Sequence, residues 1–446
     1  MNTLENISLV FCIPFVGMLL SIAVLPLIAG EWWEKNKKYM VILWSVLFLI
    51  PFAVTYSAGT MTEVLADIMI NDYIPFIVLL FGLFCVSGNI SIQGRFRGSP
   101  RANVMLLLIG TLMASWIGTT GASMVMIRPI IRANSWRRRK VQVVIFFIFL
   151  VSNIGGCLTP VGDPPLLMGF MRGVPFFWSL HLLPIMLLNT GILLSVFFLL
   201  DLRAYRKDIS EGLAPEIRDI NEKMSIQGVH NIIFLIAIVA AVILSGILGT
   251  VPAFSGEIQI LGEVSLGIPA IIEIVIILTA AFLSMKTTNK KVRIQNHFSW
   301  DAIQEVAVLF IGIFITMEPA LLFLEAHGPE LGISQPWQMF WATGALSSFL
   351  DNTPTYLVFL TTAGTLGASS GIATTVGTIM PVMLMAISCG AVCMGANTYI
   401  GNAPNFMVRS IAEGAGIKMP SFFGYMAWSV SFLIPVFIID MLVFFL

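Results

Sequence analysis

The chain has 446 residues, of which 57% are hydrophobic and 11% charged, with 24 basic and 24 acidic side chains and no net charge. A soluble domain carries about a quarter charged residues, so the composition describes an all-α polytopic membrane protein whose main partner is the lipid bilayer. It leaves no long polar block for a soluble catalytic domain, and neither an enzyme, a cofactor nor a nucleic-acid partner is expected.

Ten apolar segments are predicted to cross the bilayer, at about 8–29, 40–58, 73–92, 141–171, 177–201, 229–251, 267–285, 303–324, 372–411 and 422–446. The fourth and the ninth are interrupted. Glu5 precedes the first segment with no basic stretch beside it, so no secretory leader is expected. Two more apolar stretches, about 103–131 and 336–366, are longer than one span and too short for two. Each is broken midway by polar residues with Gly or Pro.

Basic residues orient these stretches. Arg95, Arg97 and Arg101 precede the first, and Arg132, Arg137, Arg138, Arg139 and Lys140 follow it, so both its ends face the cytoplasm. The flanks of the second hold no Lys or Arg. Both therefore read as re-entrant hairpins. With the N-terminus outside, 23 of the 24 basic residues fall on the cytoplasmic side, and Arg172 alone falls outside. A polar linker, 202–227, separates a first repeat, 1–201, from a second, 228–446. Five crossings and one hairpin on each side make the two repeats inverted.

The stretch Ser347-Ser348-Phe349-Leu350-Asp351-Asn352-Thr353-Pro354-Thr355 places a carboxylate, an amide and four hydroxyls at the turn of the second hairpin. A carboxylate at membrane depth is expensive and points to function. The halves match weakly but in order. Gly110-Thr111-Leu112 aligns with Gly344-Ala345-Leu346, which pairs the turn Gly118-Thr119-Thr120-Gly121 with Asn352-Thr353-Pro354-Thr355. Gly156-Cys157-Leu158-Thr159-Pro160-Val161-Gly162-Asp163-Pro164-Pro165 aligns with Gly395-Ala396-Asn397-Thr398-Tyr399-Ile400-Gly401-Asn402-Ala403-Pro404, setting Asp163 opposite Asn402. Prolines and glycines in these stretches break helices, and exposed backbone at membrane depth is tolerable only around a protein-lined cavity. Two hairpin tips and two broken helices are expected to meet at one site.

The order of hairpin and broken helix, with the Ser-Ser-x-x-Asp-Asn-x-Pro turn, resembles the ion transporter superfamily, which includes NhaD-type sodium/proton antiporters, citrate transporters and arsenite permeases. The resemblance covers nearly the whole chain in architecture. It implies ion-binding roles for Ser348, Asp351 and Asn352, a homodimer, and a bacterial-type inner (plasma) membrane. NhaD-type proteins carry a second Asp-Asn pair in the first hairpin, where this chain has Ile117 and Gly118.

A sodium site needs oxygen donors with net negative charge. Asp351, Asn352, Thr353, Asn397, Thr398 and Asn402 supply them, with Asp163, Thr159, Thr119 and Thr120 from the other half. The expected sodium ligands are Asp351, Asn352 and Asn397. No basic residue stands at either turn, Arg128 being the nearest. These residues suit a sodium (or lithium)/proton antiporter in which cation and proton compete for Asp351, with Asp163 second. Citrate or carboxylate symport driven by Na⁺ or H⁺ is the alternative, and an oxyanion or arsenite channel-like subunit is a third. Asp351 also suits a helix N-cap, and Asp163 a turn. The five cysteines are expected to be buried free thiols.

Overall fold

The computed structural model describes residues 7–94, 97–214, 225–249, 251–254, 256–296 and 298–446. Glu5, Arg95, Arg218 and Lys223, which belong to the charge pattern above, lie outside the described residues. The structure is 76% helical. It begins with α1 (Ile13–Ile28), α2 (Gly30–Tyr56) and α3 (Ala58–Asp67), and a π turn at Ile68–Tyr73 carries α3 into α4 (Ile74–Gly88). The pair α5 (Pro100–Ile117) and α6 (Thr119–Ala133) follows. Next, α7 (Val141–Leu150) continues through a 3-10 segment, Ile154–Leu158, into a break before α8 (Pro164–Met171). Then α9 (Leu183–Ser210) completes the first half.

The second half opens with α10 (Asn231–Leu248), α11 (Ile268–Thr287), α12 (Lys290–Gln295) and α13 (Asp301–His327). A second pair follows, α14 (Pro336–Ser347) and α15 (Asn352–Gly364). After it, α16 (Pro381–Met394) passes through the turn Gly395–Asn397 to a break before α17 (Ala403–Gly414), and α18 (Phe422–Asp440) closes the chain. Three small antiparallel ladders accompany the helices. β1 (Ser91–Gln93) pairs with β2 (Ser225–Gln227), β3 (Glu257–Leu261) with β4 (Val264–Gly267), and β5 (Ile372–Thr374) with β6 (Gly377–Ile379).

Among the described residues, ten helices are long and apolar enough to cross a membrane, the number expected, but one member differs. Pro100–Ile117 meets the length, whereas Pro381–Asn397 is shorter. Residues 371–379, rich in Gly and Thr, fold as the β5–β6 hairpin and so do not extend that helix. The helix expected from 40 starts at Gly30, which puts Lys35, Lys37 and Lys38 on α2 itself, and α9 runs on to Ser210. All five cysteines are free, and Cys12 is only half-buried.

Burial sorts the helices into two roles. Every residue of α7 from Gln142 to Leu150 is buried, so this helix, apolar all round, faces protein on every side. In contrast, α1, α2, α10 and α11 expose Ile13, Ile42, Ile233 and Val275, the kind of surface that lipid covers. At one end of the molecule a buried network fastens the α5–α6 pair to α9. Arg137 bridges Asp201 (2.7 Å) and Asp208 (3.4 Å), all three side chains being fully buried. Asn103 of α5 donates to Asp201 Oδ2 (2.9 Å), and Gln142 to its Oδ1 (2.9 Å).

Removing one partner of such a pair strands buried charge, at a cost of about 3–5 kcal/mol. Arg137→Ala should therefore strongly lower the melting temperature of the purified protein in micelles. A loss under about 1 kcal/mol would mean that the network does not hold this end together.

Candidate functional site

The site is built where four helices start. Gly118, Asp163, Asp351 and Asn402 are the N-cap residues of α6, α8, α15 and α17. Asp163 (φ −144°, ψ 141°) and Asn402 (φ −147°, ψ 139°) have the same backbone conformation. The contacts behind them match as well. Thr159 donates to the carbonyl of Ser115, and Thr398 to that of Ser348 (2.5 Å). Ser115 donates to Gly155 O (2.5 Å), and Ser348 lies 3.2 Å from Met394 O. A Cβ on Gly162 would stand 2.3 Å from Gly156 O, and one on Gly401 2.5 Å from Gly395 O, so each break closes on a glycine.

The tips correspond differently from the alignment. Sequence matching set Asp351 against Ile117, whereas both Asp351 and Gly118 occupy N-caps, a shift of one residue. Three residues, Ser348 to Leu350, separate α14 from its cap, and none separates α5 from Gly118. Gly118 has φ +79°, a region that suits glycine, while Asp351 has φ −57°. The first tip thus has a backbone conformation that disfavours the acid the second carries.

Asp163 stands at the centre. Its Oδ1 accepts from Thr119 Oγ1 (2.8 Å) and Asn402 Nδ2 (3.3 Å), and its Oδ2 from Asn352 Nδ2 (2.9 Å). Thr119 and Asn352 are equivalent first residues of α6 and α15, so both tips reach the same carboxylate. On the far side of the amide, Ser347 Oγ lies 2.7 Å from Asn352 Oδ1 and 2.6 Å from Ala391 O. Asn153 and Asn405, which the sequence reading passed over, join the two breaks at 2.7 Å. Asn405 also donates to Gly395 O and Thr398 O (2.9 Å each), satisfying carbonyls that the broken helix leaves free. A lone Asn within the apolar run 141–158 is the signal that could have revealed Asn153.

Asp351 is held more loosely. Its Oδ1 caps Thr353 N (3.0 Å), as an N-cap aspartate does, and its Oδ2 accepts no hydrogen bond from the described residues. It lines a cavity of about 410 Å³ together with Thr119, Thr120, Asp163 and Asn402. This cavity runs out to Glu34, Asp301 and Glu305, at the end of the molecule that bears Lys35–Lys38 and Lys290–Arg293. Lys37 pairs with Glu34 (2.8 Å) and Glu305 (2.9 Å) there. Among the described residues no Lys or Arg lines the cavity. Arg128 does not reach it, and its Nη1 is buried without a partner. At the other end Arg172 of the α8 cap pairs with buried Asp72 in the π turn (3.0 Å).

The remaining candidates lie behind the cavity wall. Thr159 and Thr398 spend their hydroxyls on backbone, and Ser348 accepts from Asn397 Nδ2 (2.9 Å). Asn397 Oδ1 and Thr353 Oγ1 are buried without partners. Four helix N-termini meet here, and their positive ends favour negative charge on the two carboxylates at the caps.

Over residues 4–445 the chain matches the profile of a family described as "Putative citrate transport", and it belongs to that family. No curated protein matches it. The chain is an integral membrane protein of a transport family.

Asp163 satisfies three buried donors and Asp351 only one, and each orphaned buried donor costs about 1–3 kcal/mol. Asp163→Asn, which turns an N–H toward a donor, should clearly lower the melting temperature, and Asp351→Asn should leave it close to wild type. Equal small effects would contradict the central role given to Asp163.

Proposed function

From its membership of this transport family, we propose that the protein is a secondary transporter that exchanges sodium or lithium for protons. Asp351 is the carboxylate that cation and proton share. The observation that carries this reading is the cavity, in which Asp163 and Asp351 meet hydroxyl and amide groups with no basic side chain among the described residues. A cation or a proton is what such a lining attracts. Asp351 suits exchange because one oxygen is free of protein donors, while Asp163 is fully engaged and positions the tips. The two helix pairs are re-entrant and the halves inverted, a reading supported by the charge distribution and by the matched contacts of the two breaks. On that topology the cavity opens to the cytoplasm.

A second reading, cation-coupled uptake of citrate or a related carboxylate, is favoured by the family description. On it the acids hold the coupling cation, and that cation in turn attracts the substrate.

The test is collapse of a pH gradient in inside-out vesicles from a host lacking its own antiporters. Addition of Na⁺ or Li⁺ should dissipate the gradient, and Asp351→Asn should reduce the response to that of empty vesicles. Because a proton occupies the same group, apparent sodium affinity should fall as pH falls, by about tenfold per unit in the proton-occupied range. No response to any cation, together with citrate uptake, would replace exchange by the second reading.

A further inference from the structure

Asp440, the last residue of α18, is fully buried and lies outside the cavity. Asn189 of α9 donates from Nδ2 to Asp440 Oδ2 at 2.9 Å. The other oxygen of each, Asp440 Oδ1 and Asn189 Oδ1, is buried with no hydrogen-bond partner. The titratable groups facing Asp440 are the thiols of Cys157, in the segment after α7, and Cys389 of α16. Among the described residues no Lys, Arg or His pairs with it.

An ionised carboxylate buried without a counter-charge is costly, and two acceptors left unpaired on facing groups add to the cost. One proton removes both problems. A carboxylic acid has an O–H donor and a carbonyl acceptor, the complement of a carboxamide. A bound metal fits less well. Hard cations of this kind take about six oxygens. The unpartnered oxygens here are those two and Oγ1 of the adjacent Thr190, and neither Asp440 nor Asn189 lines the cavity.

We infer that Asp440 carries a proton, donated from Oδ1 to Asn189 Oδ1, and that the pair is a second protonation site within the membrane. It is distinct from the exchanging group at the cavity. The helix that bears it also holds the second break, since Tyr425 donates to Ala396 O (2.8 Å) and Ser429 to Asn397 O (2.7 Å). Loss of the proton would place an unpaired charge on that helix.

Infrared spectroscopy of the purified protein in lipid tests this. The wild type should show a protonated-carboxyl C=O band across neutral pH that is lost in Asp440→Asn and kept in Asp351→Asn. Asp440→Asn should also melt near wild type, because an amide at 440 can make the same two bonds without charge. Should that variant fail to fold, Asn189→Ala provides the check: the band should persist but shift as its hydrogen bonds are lost. A wild type with no protonated-carboxyl band that depends on Asp440, or a band unmoved by Asn189→Ala, would overturn the inference and leave Asp440 ionised or holding a cation.

Discussion

The arrangement depends on the carboxylate of Asp163. A charge in the interior of a membrane protein is tolerable only where fixed donors replace the water it has lost. Thr119, Asn352 and Asn402 are those donors, and they come from three different helix starts. One side chain thereby sets the distance between both tips and both breaks. The tips are chemically unlike, a threonine and an asparagine, yet each presents a donor at the same helical position.

Breaking a helix at membrane depth releases backbone groups that lipid cannot satisfy. The chain meets this demand with small polar side chains in pairs. Thr159 and Ser115 serve one break, Thr398, Ser348 and Asn405 the other. Most of the hydroxyls and amides near the site are therefore occupied by the fold. At its inner end the cavity is left with Asp351, Thr120 and the edges of Asp163 and Asn402, while Glu34, Asp301 and Glu305 line its outer part.

Much of this was legible in the sequence because Pro and Gly within apolar runs have few meanings. The breaks at 159–165 and 398–404, the turns at 118 and 352, and the pairing of Asp163 with Asn402 all follow from residue types whose backbone preferences are strong. The register of the tips was not legible, since Ser348 to Leu350 leave the helix where their counterparts Ser115 to Ile117 remain in it, and their residue types are ordinary. Nor was the Arg137 network, because positively charged flanks of membrane segments are common and nothing local tells a buried arginine from a solvated one. Asn352 read as an oxygen ligand. The carboxylate of Asp163, which accepts from the amide across the site, is what draws its nitrogen inward.

The bond between Asn153 and Asn405 has a mechanical consequence. Together with the donors on Asp163 it ties the two breaks to each other, and parting them would strand several buried polar groups at about 1–3 kcal/mol each. The paired and broken helices are thus joined by buried polar contacts, while α1, α2, α10 and α11 turn exposed apolar surface outward. A substitution that cuts the Asn153–Asn405 bond would loosen both breaks at once, since Asn405 also holds the free carbonyls of Gly395 and Thr398.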